Sequence, residues 1–312
     1  AVGSLVSALP VLDDTAPLLN RLILFSGIPT AFLPVEAEAE LVKCFMDYFH
    51  IADARGLRRL SDKEIMYKTP DFMKKSGLGL GTFQPVMDGR YLKAYPINIL
   101  SSGNYQPLPM LIGNTGDELS VMKYFFGRRY WDLRKIISDG LSNEEEPIKK
   151  QISLLYTKKY GRRKAQVQLI SDMIFRTASL FYAEAASPKC PVWLYRFDLC
   201  PVAMRLSGLG AVHCSDLPLF FGNFRKGIGK LMFSLSTDLT AAGKLACEMQ
   251  SDFTGFMKNG HLPWARAFID GYLAKCYNVP PGFDEPIPRD IYNAYRQTHY
   301  YALNRRKVSK FN

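Results

Sequence analysis

Three short apolar segments, separated by long helical stretches, constrain the fold of this 312-residue chain more than any other feature. The segments are rich in β-branched or aromatic residues, which is typical of buried strands. Strands that alternate with long helices form a parallel sheet with crossover connections. The sequence therefore predicts an α/β fold with a mostly parallel sheet, and the predicted strands are RLILFS at 21–26, PMLIG at 109–113 and PVWLYRF at 191–197.

The helical stretches carry their own start signals. A helix at 34–49 would have Pro34 in its first turn and glutamates near its positive end. Ser61 and Glu64 form a capping box that opens another helix. A helix is also expected at the first residues of the chain. Further helices are predicted at 143–160, 164–186, 239–259 and 290–304.

An acidic residue and a histidine follow two of the predicted strands. Glu118 comes after the strand at 109–113, and His213 follows the strand at 191–197 through a glycine-rich segment. In a parallel sheet the carboxyl ends of neighbouring strands open into one crevice. We therefore expect the Glu118 carboxylate to lie within hydrogen-bond reach of the His213 ring, as in the back half of a Ser-Glu-His triad. The adjacent Asp117 is expected to cap a helix.

The nucleophile of such a triad normally lies on a G-x-S-x-G turn between a strand and a helix. This chain contains no such pentapeptide, and the nearest approach, GLSNE at 140–144, lacks the second glycine. Two interpretations stay open from the residues alone. The chain is a fragment of a hydrolase, or it has a function other than its residues suggest.

Five segments, in order, resemble motifs of one protein family. They are NRLILFSGIP at 20–29, FQPVMDGRYL at 83–92, LIGNTGDE at 111–118, the segment 211–222 around His213, and MQSDFTGFMKNG at 249–260. Together they resemble the C-terminal portion of a type-B carboxylesterase, a family that includes cholinesterases and neuroligin-like adhesion proteins. The resemblance implies that 1–312 is a single incomplete α/β-hydrolase domain, the C-terminal part of that fold. It would lack the N-terminal strands and the nucleophile elbow.

The same resemblance implies roles for four residues. Glu118 would be the catalytic acid and His213 the general base, while Ser26 and Asp216 would support the pair without reacting. The implied function is hydrolysis of a small-molecule carboxylic ester by a serine nucleophile through an acyl-enzyme. The missing N-terminal segment of the same fold would be a partner of this chain. The alternative is a non-catalytic, esterase-like interaction or adhesion protein.

Several positions depart from the family pattern. Cys214 and Leu119 replace the glycines that follow the histidine and the acid, so the backbone freedom of glycine is lost at both points. Val121 stands where cholinesterases have an aromatic residue that binds quaternary ammonium, so choline esters are not expected as substrates. Cys44 takes the first place of a family disulfide whose second cysteine is absent near 57–58.

Charge and hydropathy exclude other classes of protein. The chain has 40 Lys and Arg against 29 Asp and Glu, but no nucleic-acid motif accompanies the excess, so no nucleic-acid partner is expected. No stretch reaches the roughly twenty apolar residues that a membrane span needs.

No cofactor or metal is expected. GLGLG at 77–81 resembles a nucleotide loop, but it follows a predicted helix instead of a strand. The six cysteines show no metal-binding spacing and are interpreted as isolated thiols. Unpaired thiols favour a cytoplasmic location, and a secreted protein stays open.

Overall fold

The computed structural model describes residues 2–14, 16–76, 82–122, 141–233, 236–299 and 301. Its strands are β1 Leu22–Phe25, β2 Leu33–Pro34, β3 Val86–Met87, β4 Met110–Thr115, β5 Val192–Phe197, β6 Ala274–Tyr277 and β7 Gly282–Asp284. The main sheet has five strands in the order β1-β4-β5-β6-β7, and β2 and β3 form a separate parallel pair. The first four strands of the main sheet run parallel, and β7 pairs antiparallel with β6.

The three predicted strands are confirmed as neighbours in one sheet. They are β1, β4 and β5, and β4 lies between the other two. Every residue of β4 is buried, because strands cover both of its edges and helices cover both faces. The strand β1 lies at one end of the sheet, and within the described residues no strand pairs with its outer edge.

The helices surround the sheet. In chain order they are α1 Val2–Ala8, α2 Val35–Phe49, α3 Ala54–Leu57, α4 Asp62–Lys75, α5 Pro96–Ser102, α6 Glu146–Ser171, α7 Thr177–Ala186, α8 Val202–Leu206, α9 Leu217–Phe220, α10 Gly227–Met232, α11 Ser236–Asn259 and α12 Arg289–Arg296. Among these, no described helix is long and apolar enough to cross a membrane.

Most helix predictions are confirmed, with shifted ends. Pro34 precedes α2 as its N-cap, and the Ser61 hydroxyl accepts a hydrogen bond from the Glu64 amide at the start of α4. The break predicted near 161–163 is confirmed as a kink at Gly161, whose φ of +70° and ψ of 157° lie outside the helical range and divide α6 into two helical parts. A π-helix, Asp172–Arg176, joins α6 to α7. The described part of the helix predicted at 290–304 ends earlier, at Arg296, and the glycine-rich segment at 77–81 lies outside the described residues.

The core lies in two layers, one on each face of the sheet. Strand residues alternate between the layers because successive side chains point to opposite faces. Leu194 of β5 belongs to the layer formed with α6, α7 and α12. Its neighbours Trp193 and Tyr195 belong to the layer formed with α11, where they contact Phe256 and Phe253 respectively. The sheet is thus covered on both faces, which leaves its carboxyl edge for the loops that carry Glu118 and His213.

Candidate active site

Glu118 lies in the loop that follows β4, and its side chain is completely buried. Its Oε1 accepts two hydrogen bonds, from the Ser26 hydroxyl at 2.5 Å and from the Thr115 amide at 2.7 Å. Ser26 itself follows the neighbouring strand β1. Because two donors at the end of the sheet bind the same oxygen, the Glu118 side chain is held in one orientation.

The second carboxylate oxygen contacts the histidine. His213 Nδ1 lies 2.6 Å from Glu118 Oε2, and the His213 amide donates to the Glu118 carbonyl at 3.1 Å. The expected hydrogen bond is therefore present. An ionised carboxylate can only accept, so Nδ1 carries the hydrogen and Nε2 of a neutral ring is left as an acceptor. The His213 side chain is 39% exposed and its ring packs against Phe175, with centroids 4.9 Å apart.

The charge balance around His213 favours the protonated ring. Burial lowers the pKa of His213, but hydrogen bonds to the Cys214 thiol and the Glu118 carboxylate outweigh burial and raise the pKa to about 10. The neutral ring required for proton abstraction therefore becomes more populated as the pH rises.

Asp216 lies beneath this pair, and only 1% of it is exposed. Its carboxylate accepts a hydrogen bond from the Tyr195 hydroxyl at 3.2 Å. Burial and the negative charge of Glu118 raise the pKa of Asp216 to about 6. Of the two supporting residues implied by the resemblance, Ser26 contacts Glu118 directly, whereas the structure links Asp216 to Glu118 through charge.

Asp117 binds the histidine loop, so its interpretation as a helix cap is wrong. The Asp117 amide donates to the Ala211 carbonyl at 2.8 Å, and the Ala211 amide donates back to the Asp117 carboxylate at 3.1 Å. Gly210 has a φ of +73°, and a Cβ there would lie 2.1 Å from Asp117 Oδ2. Only glycine fits this close approach. Together with the backbone bond from His213 to Glu118, these contacts join the acid loop to the histidine loop.

A buried ion pair supports the acid loop from the other side. Arg176 of the π-helix pairs with Asp172 at 2.8 Å, and both side chains are buried. The same guanidinium donates to the carbonyls of Thr115 and Gly116, where the chain leaves β4. Sequence analysis did not identify Asp117, Gly210 or Arg176 as parts of the site. A short-range signal existed only for Gly210, which lies in a glycine-rich segment before the histidine.

The two positions at which the family pattern has glycine, Cys214 and Leu119, differ in backbone conformation. Cys214 has a φ of +65°, so a side chain stands in a conformation that favours glycine. Leu119 is not among the described residues with positive φ; it is buried, and its amide donates to the Ser171 hydroxyl at 3.0 Å. The loss of glycine thus strains the histidine loop but not the acid loop. Ser26 also has a positive φ, of 46°.

The other three histidines lie outside this arrangement. His50 ends α2 in the left-handed conformation, His261 packs against Trp193, and His299 lies 3.1 Å from Glu144. None of the six cysteines, all in described parts of the chain, forms a disulfide. Within the same residues, no cluster of three or more His, Cys, Asp or Glu side chains could hold a metal ion.

The chain is similar in sequence to known esterases. The sequence profile of the carboxylesterase family matches residues 1–263. The chain is 26% identical over 269 residues to the para-nitrobenzyl esterase of Bacillus subtilis (strain 168). The aligned region covers 84% of this chain and 52% of that protein. It is 24% identical over 292 residues to the cocaine esterase of Homo sapiens. Here the aligned region covers 84% of this chain and 48% of that protein.

Solved structures share the fold. A thermophilic PNB esterase superimposes with a TM-score of 0.74 at 21% identity, over 94% of this chain and 60% of that one. The carboxylesterase of Geobacillus stearothermophilus gives a TM-score of 0.71 at 22% identity, over 94% of this chain and 62% of that one. The fold is therefore that of the α/β-hydrolases, and the chain spans about half the length of the curated relatives it matches. Since the family profile covers most of the sequence, the chain belongs to the carboxylesterase family.

Proposed function

We propose that this chain supplies the catalytic acid and histidine of a serine carboxylic-ester hydrolase. One observation carries the proposal: the buried Glu118 carboxylate binds His213 Nδ1 at 2.6 Å and is itself held by Ser26. That arrangement orients the ring through Nδ1, and Nε2 would take the proton of the nucleophile.

The reaction would follow the usual course for such a pair. His213 Nε2 takes the proton of a serine hydroxyl while the serine oxygen attacks the ester carbonyl. The tetrahedral intermediate collapses to an acyl-enzyme, and the imidazolium returns its proton to the leaving alcohol. Water then repeats the sequence and releases the acid. Glu118 would stabilise the imidazolium in both steps.

The nucleophile is proposed to come from a segment of the same fold that is not in these 312 residues. The chain contains no G-x-S-x-G pentapeptide, and it matches only about half of each relative. The oxyanion donors would come from the same segment, since the residue after the nucleophile supplies one of them.

The proposed substrate is a small, uncharged carboxylic ester, such as the p-nitrophenyl esters used as chromogenic probes. Val121 cannot form a cation–π face, so choline esters should be poor substrates. The names of the two relatives are consistent with ester hydrolysis.

A two-part assay tests the function. The purified 312-residue chain should not hydrolyse p-nitrophenyl acetate above background, because it has a base and an orienting acid but no elbow serine. A longer protein that contains this chain and a G-x-S-x-G segment should be active. His213→Ala should lower its kcat/KM by about 10⁴-fold or more.

The matched control is His299→Ala, because His299 also pairs with a glutamate but lies outside the site. This variant should retain activity. A second outcome is that the 312-residue chain alone hydrolyses the ester and loses this activity in His213→Ala. That outcome would place the nucleophile within these residues. An elbow-containing protein that is inert toward a panel of esters would favour the adhesion-type alternative.

A further inference from the structure

A cavity is formed by residues between 38 and 83, which precede the acid and histidine loops in the sequence. It has a volume of about 290 Å³ and opens between α2, α3 and α4, and none of the residues that line it belongs to either loop. This volume is close to the lower end of the range for ligand pockets, roughly 300 Å³.

The walls of the cavity are mainly apolar and include three aromatic rings. Phe45 of α2 contacts Phe72 of α4 edge-to-face at 5.1 Å, and Phe83 adds a third ring at 6.5 Å from Phe45. At the rim, Val42, Leu57 and Phe83 are 45%, 42% and 47% exposed. Large apolar side chains grouped in this way around a concavity are typical of a binding site.

Two of the residues that line the cavity carry carboxylates, Asp53 and Glu38. Asp53 Oδ1 is already engaged, since it accepts hydrogen bonds from the amides of Arg55 and Gly56. Glu38 differs, because its Oε2 is buried and has no hydrogen-bond partner within the described residues. No described residue that lines the cavity is Lys, Arg or His. The charge of Glu38 is therefore not balanced by any described residue that lines the cavity, and a bound cation would balance it.

We propose that this cavity binds a small hydrophobic amine. The ammonium group would donate to Glu38, and the apolar body would lie against Phe45 and Phe72, whose ring faces also attract a cation. The net positive charge of the chain makes a preference for an amine informative about the local site. With a formal net charge of +11, the surface repels cations in general, so preference for an amine must arise from a local acidic site.

Three probes of similar size and different head groups test the proposal: 2-phenylethylamine, 2-phenylethanol and 3-phenylpropionate. Binding to the 312-residue chain is measured by isothermal titration calorimetry and by saturation-transfer NMR at pH 7, where the amine is protonated and the acid ionised. The amine should bind at least about 10-fold more tightly than the alcohol, and the propionate should bind most weakly at this site.

Two variants locate the site. Glu38→Gln should remove the preference for the amine and leave the alcohol nearly unchanged. The matched control is Glu36→Gln, which alters an exposed carboxylate in the same first turn of α2 and should have no effect. Leu41→Trp, which fills the cavity, should weaken all three probes, and circular dichroism would show that each variant is folded.

Several outcomes would overturn the proposal. It fails if the three probes bind equally, if none binds at millimolar concentration, or if Glu36→Gln and Glu38→Gln weaken the amine to the same extent. Amine binding that survives Leu41→Trp in a folded variant would place the amine elsewhere. None of these measurements depends on ester hydrolysis, so the outcome is independent of the proposed function.

Discussion

At the scale of the residue, the protonation of His213 depends on the Cys214 thiol and on one buried carboxylate, Glu118. Glu118 has no exposed surface, and its second oxygen, Oε2, lies 2.6 Å from His213 Nδ1. Hydrogen bonds from Ser26 and Thr115 to Oε1 keep that second oxygen directed at the ring. The raised pKa of His213 follows from the ion pair and from the neighbouring thiol of Cys214, which together outweigh the cost of burial.

The first prediction concerns this pKa. The Cε1 proton of His213, followed by NMR, should titrate well above the ordinary histidine pKa of about 6.5. Glu118→Gln should lower the pKa of His213 by at least about one unit, because a neutral amide no longer stabilises the imidazolium. In the active protein, the ascending limb of kcat/KM should accordingly lie above pH 6.5, since hydrolysis requires the neutral ring.

The corresponding control is Glu144→Gln, because Glu144 pairs with His299 instead. It should leave the titration of His213 unchanged. A His213 that titrates at its ordinary pKa in both proteins would mean that the carboxylate does not hold the ring in solution.

At the scale of the element, two loops that follow different strands are joined by main-chain contacts. Asp117, next to the acid, exchanges hydrogen bonds with Ala211, two residues before the histidine. Gly210 permits this approach, because any side chain there would overlap the Asp117 carboxylate. The loops therefore position Glu118 and His213 as one unit instead of two independent segments.

Gly210→Ala tests this unit. The substitution imposes a left-handed conformation on alanine, which costs about 1–2 kcal/mol, and it adds a steric overlap with Asp117. We expect a loss of unfolding free energy larger than that conformational cost, measured by urea denaturation, together with a shifted His213 resonance.

Gly227→Ala separates the two effects. Gly227 also has a positive φ, of +51°, but nothing lies within 4 Å of the position of its Cβ. Gly227→Ala should lower the unfolding free energy by the conformational cost alone. It should leave the NMR resonance of His213 unchanged. Equal losses in the two variants would show that the contact with Asp117 is unimportant.

At the scale of the whole molecule, the end strand β1 has an outer edge that no described strand covers. Its inner residues Leu22 and Leu24 are buried, whereas Ile23 and Phe25 are only half-buried. An unpaired edge with apolar residues readily accepts another strand. The proposal that the active protein contains further strands of this sheet would give that edge a partner.

The isolated chain should therefore self-associate, which light scattering after gel filtration would detect as a concentration-dependent mass. Ile23→Lys should reduce association, because a charge on an edge strand opposes further pairing. Leu154→Lys, on an exposed helical position of α6, should not. A monodisperse monomer at high concentration would indicate that the edge is already protected.

Much of the sheet and the central pair could be predicted from the sequence, because their signals are local. The apolar segments at 21–26, 109–113 and 191–197 are long enough and apolar enough to be buried strands wherever they pack, and they became β1, β4 and β5. The strands β6 and β7 were not predicted, since AKCY and GFD are short and partly polar. Their strand conformation depends on pairing with β5, not on local preference.

The sequence by itself determined which residues could form the site, since the order of acid and histidine after successive strands is a property of the chain. Only the tertiary structure decided how they meet. Asp117 is a loop acid in the sequence, and its contact with Ala211 exists because the loops after β4 and β5 lie side by side. Likewise, Asp216 acquires a raised pKa only because folding buries it near Glu118. Burial and proximity arise from contacts between distant segments, and no local pattern encodes them.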